Sequence, residues 1–139
     1  MRNLFLMSIF LMLVGSAQAQ QNKTTHRVVF QMSSGEAAEQ KGLINNVNNL
    51  LSLWENDVVI HVVIHGPGIA LVQTDKTAFK AEIHQLVDRG VVFQVCENTL
   101  KQKEIDKASI IERMEYIPSG IAEIVLRQEQ GWSYIKSNF

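Results

Sequence analysis

The chain has 139 residues, 46% of them hydrophobic, and its 13 basic and 14 acidic residues give a formal net charge of −1. This length suits a single domain, and the balanced charge, with no basic stripe, argues against a nucleic-acid partner. The chain has one cysteine, Cys96, so an intramolecular disulfide is excluded.

The first 19 residues are typical of a secretory signal peptide. Arg2 precedes an almost unbroken apolar run, residues 4–14, and Ala17-Gln18-Ala19 forms a small-x-small cleavage pattern before Gln20. The apolar run is shorter than the roughly 20 residues that a membrane span needs. We therefore expect a periplasmic or secreted protein that is not anchored in a membrane, with residues 20–139 as one mature domain.

The first half of the mature domain predicts a strand, a helix and a second strand. The run Arg27–Ser33 is rich in β-branched residues, and apolar residues at helical spacing follow over Glu36–Leu53, with Ser33 or Ser34 as a helix cap. The run Asp57–His65 is apolar nearly throughout, as in strands covered on both faces. After it, His65-Gly66-Pro67-Gly68 predicts a turn that interrupts regular structure.

The second half continues the alternation. In chain order it predicts a helix from Thr74 or Asp75 to Arg89, a strand over Val91–Cys96, helices over Asn98–Lys103 and Asp106–Met114, a strand at Tyr116–Ile117, a helix over Ile121–Gln130 and a strand over Trp132–Lys136. Strands and helices that alternate in this way form an α/β domain of three layers with a mostly parallel sheet.

The loops after the strands gather at one edge of such a sheet, where α/β domains bind ligands. Cys96 and His65 are the last residues of two of the apolar strands and are the candidate catalytic residues. Four loops reach this edge, one after each of the first four predicted strands. Their candidate ligand-binding residues are Ser34, Gly66, Gly68, Asn98, Thr99, Ser119 and Gly120. Capping is the favoured role for Ser34, and tight turns are the favoured role for the glycines.

Cys96 has two interpretations. Ahead of a helix, a thiolate would be stabilised by backbone N–H groups and helped by His65, although the adjacent Glu97 would disfavour it. Alternatively, Cys96 is a buried structural residue at the end of a core strand. His61 and His65 are too far apart along a strand to share a metal ion, and His61 suits packing beneath a helix. No metal or cofactor is predicted.

Four segments carry a resemblance to a known family. They are His65–Val72, Gly90–Leu100, Ile117–Glu123 and Gln130–Ile135. Together they resemble the DsrE/DsrF-like family of small sulfur-relay-type proteins. The resemblance implies a five-stranded α/β sheet and a homo-oligomer, a trimer or a hexamer. In the sulfurtransferase members a cysteine after a central strand carries sulfur as a persulfide, and Cys96 is the matching position.

Two departures from the family pattern are visible. The relay members work in the cytoplasm with dedicated partners, whereas this chain carries an export signal. The residues after Cys96 also differ from the small helix ending in Arg-Gly of those members, with Glu97 and Lys101-Gln102-Lys103 instead. The resulting hypothesis is an exported sulfur carrier or sulfurtransferase with a persulfide on Cys96 and a sulfur donor or acceptor protein as partner. The alternative is a non-catalytic oligomeric binding module that uses the same loop edge for a small anion or a protein partner.

Overall fold

A single parallel sheet organises the part of the chain that the computed structural model describes, residues 25–137. The predicted signal peptide lies outside those residues. The strands are β1 (His26–Met32), β2 (Val58–Ile64), β3 (Val92–Cys96), β4 (Glu115–Ile117) and β5 (Ser133–Lys136), in the spatial order β4-β3-β2-β1-β5. Every pair of neighbouring strands is parallel. The α/β class and the five strands are confirmed, and the sheet is entirely rather than mostly parallel.

Helices lie on both faces of this sheet. They are α1 (Ala37–Trp54), α2 (Lys80–Asp88), α3 (Glu97–Gln102) and α4 (Gly120–Glu129), with short 3₁₀ segments at Glu55–Asp57, Gly66–Val72 and Lys107–Ser109. Among the described residues, no helix is both long enough and apolar enough to cross a membrane.

The larger apolar cluster lies between one face of the sheet and α1, α2 and the 3₁₀ segment Gly66–Val72. Alternate strand residues point into it, because side chains alternate between the two faces of a sheet. Its most deeply buried members include Phe30, Met32, Ile64, Phe93, Val95, Leu43, Leu71 and Ile83. Burial of this many apolar side chains supplies the main stabilisation of the domain.

Among the described residues, α4 is the helix that packs on the other face of the sheet. The smaller apolar cluster there joins Val29, Val63, Ile117 and Ile124, with Trp132 packed against them. Because α4 contributes only Ile124 and Gly120 as buried residues, much of this face stays open. Val59 and Tyr134 are 38% and 39% exposed there.

The predicted helix over Asp106–Met114 is wrong. Only the 3₁₀ turn Lys107–Ser109 forms, with the Asp106 carboxylate accepting from the Ala108 N–H at 2.9 Å. After this turn the chain pairs with the end of the other 3₁₀ segment, Gly66–Val72. The Ile111 N–H donates to the Val72 carbonyl at 2.9 Å, and Gln73 and Ile110 form an antiparallel bridge. These tertiary hydrogen bonds replace the ones that a helix would have made.

Three boundaries also differ from the prediction. Helix α2 begins at Lys80, because turns at Gln73 and Thr77 take up the preceding residues. The turn after β2 continues as a 3₁₀ helix, since proline is tolerated in a first turn. The N-cap of α1 is Glu36. The Ser34 hydroxyl instead accepts from the Glu36 N–H at 3.1 Å, just ahead of the helix.

Candidate functional site

Parallel pairing of β2 with β3 places His65 and Cys96 side by side. Ile64 is paired in register with Val95, and each site residue comes next in its strand direction. Cys96 is the last residue of β3, and α3 begins immediately after it. The two candidate catalytic residues therefore share the carboxyl edge of the sheet.

The Cys96 thiol is covered, with 5% of the residue exposed, yet neither apolar cluster of the described residues includes it. The Gly120 N–H at the start of α4 donates to its Sγ at 3.2 Å. Burial raises the pKa of the thiol, but hydrogen bonds from the Thr99 hydroxyl and from the backbone N–H groups of Gly120, Thr99 and Asn98 outweigh it, so the net shift of the pKa is downward. This environment favours a thiolate.

Thr99 joins this thiol to the loop after β2. Its hydroxyl accepts from the Gly66 N–H at 3.1 Å, which leaves the hydroxyl hydrogen free to point at the sulfur. Gly66 has a φ of +55°, a left-handed conformation in which glycine is unstrained. The hydroxyl is thus fixed from one side, with its hydrogen available to the sulfur.

His65 and Cys96 both lie beside Gly120. A β-carbon on Gly120 would be 3.2 Å from the His65 Cβ and 3.5 Å from the Cys96 Cβ. The His65 Nε2 lies 2.8 Å from the Gln31 Nε2, and the Gln31 Oε1 accepts from the Tyr134 hydroxyl. Burial lowers the pKa of His65, so its imidazole is neutral at neutral pH.

Gln31 and Tyr134 are the site residues that the sequence analysis missed. For Gln31, the one signal available in the sequence was a polar residue inside an apolar strand. Tyr134 lies 103 residues further along the chain, and only the pairing of β5 with β1 brings it near.

Glu97, which follows Cys96 in the chain, forms an ion pair. Its carboxylate pairs with Lys107 in the 3₁₀ turn, and it is not among the groups that shift the pKa of the thiol. The expectation that Glu97 opposes a thiolate stays a prediction, since the Lys107 charge pairs with this carboxylate and the shift of the thiol pKa has other causes.

The other predicted ligand-binding residues divide into two groups. The Asn98 N–H stabilises the thiolate and also donates to the Pro118 carbonyl at 3.3 Å, which links α3 to the loop before α4. Ser34, Gly68 and Ser119 have structural contacts instead. The Ser119 hydroxyl caps α4 by accepting from the Ala122 N–H, and Gly68 packs against the backbone of Met32.

His61 lies deeper on the α4 face of the sheet. Its ring meets Trp132 edge to face, with 4.7 Å between the ring centroids. Burial, reinforced by the nearby Arg127 charge, lowers its pKa. This contact agrees with a packing role beneath a helix. Within residues 25–137, no three His, Cys, Asp or Glu residues are grouped as a metal site would require.

Gly66 and Pro67 also line a surface cavity of about 440 Å³. Lys76 and Lys103 line its rim, and Ile69 and Ile105 are part of its wall. Neither lysine has an ion pair with another described residue. The cavity combines positive charge with apolar surface, as sites for small anions do.

Comparison with known proteins places the chain among small α/β proteins. The model of the DsrE/DsrF-like family matches residues 26–137. A solved structure of the protein of unknown function MTH1491 from Methanobacterium thermoautotrophicum is 33% identical, with a TM-score of 0.76 over 80% of this chain and 98% of that one. BT1422 from Bacteroides thetaiotaomicron, a conserved protein of unknown function, is 16% identical, with a TM-score of 0.59 over 79% and 93%, and shares the fold. The search of curated proteins found no match.

Proposed function

We propose that this chain, which belongs to the DsrE/DsrF-like family, is a sulfur carrier that holds sulfane sulfur as a persulfide on Cys96. The observation that carries the proposal is the set of hydrogen bonds aimed at one sulfur atom. The Gly120 N–H donates to it at 3.2 Å, and the Thr99 hydroxyl adds a second donor. These donors stabilise the Cys96 thiolate, which is the nucleophile that a sulfur carrier needs in order to take up sulfane sulfur.

The transfer step needs no external oxidant. The Cys96 thiolate attacks the outer sulfur of a donor persulfide, R–S–SH, and a new S–S bond forms while the donor S–S bond breaks. The donor leaves as a thiolate and takes the proton of the transferred SH, so the products are Cys96–S–S⁻ and R–SH. An acceptor thiolate removes the outer sulfur by the same exchange. The partner is therefore a protein or small molecule with a thiol or persulfide.

The mass of the intact protein tests this step. After incubation with a small-molecule polysulfide, we expect the mature chain to gain the mass of one sulfur atom and to lose it with dithiothreitol. Cys96→Ser should gain nothing. Since any thiol reacts slowly with polysulfide, the decisive comparison is with the same chain unfolded in urea at the same pH. Faster loading of the folded protein supports the proposal, and slower loading identifies Cys96 as a structural cysteine.

The cavity at Lys76 and Lys103 favours a second candidate function, a non-catalytic module that binds a small anion at the loop edge. The two candidates differ in what Cys96 does. If Cys96→Ser binds thiosulfate or another small anion as tightly as the wild type, and the folded thiol resists polysulfide, the binding module is the better description.

A homo-oligomer is part of the proposal. Helix α4 exposes Ile121, Val125 and Leu126 by 56%, 47% and 50% on the less covered side of the sheet. Apolar side chains grouped on one helix in this way are typical of subunit contacts.

We therefore expect size-exclusion chromatography with light scattering to show a trimer or a hexamer. In the Val125→Glu variant, we expect the oligomeric state to shift toward the monomer. Leu53→Glu is the matched control, since Leu53 is 71% exposed on α1, which lies on the opposite face of the sheet. A monomeric wild type, or equal effects of the two variants, would contradict the assignment of this face.

Export is the last part of the proposal, and it rests on the residues before Gln20. Expression of the full chain in a bacterium followed by cell fractionation tests it. The expected result is a periplasmic protein that begins at Gln20. A cytoplasmic protein with an intact N-terminus would refute export without affecting the chemistry at Cys96.

A further inference from the structure

We propose that Gln31 and Tyr134 are positioning residues that hold His65 as the neutral tautomer with its proton on Nδ1. They form a relay across the carboxyl edge of the sheet, from Tyr134 on β5 to Gln31 on β1 to His65 after β2. The tautomer follows from the hydrogen bonds alone. Only its consequence for sulfur chemistry rests on the proposed function.

The direction of the hydrogen bonds decides where the proton lies. The Tyr134 hydroxyl donates to the Gln31 Oε1, so the Gln31 amide presents its NH₂ group to His65. An amide nitrogen can only donate, and the His65 Nε2 lies 2.8 Å from it. The Nε2 must therefore accept and carry no hydrogen, which puts the ring proton on Nδ1.

The hydroxyl of Tyr134 is what orients the amide of Gln31. In the reverse orientation the Tyr134 oxygen would have to accept from the amide, and the lone pair of a phenol oxygen is partly delocalised into the ring. The orientation in which the phenol donates is therefore the stronger one. Removing this hydroxyl should let the amide take both orientations, and His65 would then take both tautomers.

The shift of the His65 pKa favours the neutral ring. The pKa of His65 is lowered by burial, with no charged group contributing. The titratable groups on the neighbouring strands are Cys96 on β3 and Tyr134 and Lys136 on β5. The Glu123–Arg127 pair on α4 lies near His61. That pair is internally balanced, at 2.7 Å, and Arg127 lies over Trp132 rather than over His65.

The consequence for sulfur chemistry is a neutral hydrogen-bond donor next to Cys96. Nδ1 is the ring nitrogen nearer the β-carbon, and the His65 β-carbon borders Gly120, as does that of Cys96. An Nδ1–H group there can donate to the outer sulfur of a persulfide anion. His65 thus acts as a donor that Gln31 and Tyr134 hold in place.

Nitrogen NMR of the ¹⁵N-labelled mature protein tests the relay directly, because protonated and unprotonated ring nitrogens have widely separated shifts. We expect protonation on Nδ1 in the wild type and a mixture of tautomers in Tyr134→Phe. In Gln31→Glu the carboxylate can only accept, so the proton should move to Nε2 and the pKa of His65 should rise. Tyr116→Phe, at a similarly exposed tyrosine on β4, should change nothing. Protonation on Nε2 in the wild type, or an unchanged His65 pKa in Gln31→Glu, would overturn the proposal.

Sulfur loading supplies the second readout. We expect Gln31→Met to load Cys96 from polysulfide about tenfold more slowly than the wild type, as the loss of one hydrogen bond predicts. Unchanged loading in a variant whose tautomer has changed would refute the positioning role. If wild-type Cys96 itself fails to load, the proposed function fails, and the tautomer measurement still judges the relay separately.

Discussion

Replacing Gly68 with alanine is expected to lower the free energy of unfolding by about 3 kcal/mol, which is the upper end of the range for overpacking a core. A β-carbon at this position would lie 2.4 Å from the Met32 carbonyl oxygen and 2.8 Å from its carbonyl carbon. Both atoms belong to the backbone at the end of β1, and the same oxygen accepts from the His65 N–H at 3.1 Å. Neither can move away without disturbing the central strands.

Gly35→Ala is the matched control in the neighbouring loop. Its added β-carbon would be 3.5 Å from the Pro67 carbonyl oxygen, an ordinary contact, so its stability should stay within about 0.5 kcal/mol of the wild type. Urea denaturation of both variants measures the difference. If Gly68→Ala is insoluble and Gly35→Ala is soluble, the expectation is met. Equal stabilities of the two variants would show that the loop after β2 can move away from β1.

Thr99→Val is expected to raise the pKa of the Cys96 thiol and to reduce the rate of its alkylation at neutral pH about tenfold or more. Valine keeps the shape of threonine but removes the hydroxyl that donates to the sulfur. A hydrogen bond to a charged group contributes about 1.5–3 kcal/mol, which corresponds to at least one order of magnitude in the thiolate fraction. The Gly66 N–H also loses its acceptor, since the same hydroxyl accepts from it at 3.1 Å.

The measurement is the pH dependence of alkylation by iodoacetamide, with thiolate absorbance as a second probe. Thr99→Ser keeps the hydroxyl and serves as the control, so its profile should stay close to that of the wild type. If Thr99→Val and Thr99→Ser react alike, the hydroxyl does not stabilise the thiolate. Because this experiment needs no sulfur donor, it judges the site geometry independently of the proposed function.

Some elements of the fold could be predicted from local patterns, and others could not. Strands β1, β2 and β3 and helix α1 were predictable, because nearly continuous apolar runs and helical periodicity report directly on which faces are buried. For the segment Asp106–Met114, the same reasoning gave a wrong prediction. Its apolar residues fit a helix, but Ile111 pairs with Val72 some 40 residues away, and periodicity contains no information about such a partner.

The sequence by itself determined the fold class, the family resemblance and the placement of Cys96 and His65 at one edge of the sheet. All three follow from apolar runs and loop residues, since parallel strands bring their carboxyl ends to one edge. Only the tertiary structure decided which groups surround the sulfur. The Thr99 hydroxyl, the Gly120 N–H and the Tyr134–Gln31–His65 relay depend on strand order and register. Those depend in turn on how distant segments pack, so no local pattern along the chain encodes them.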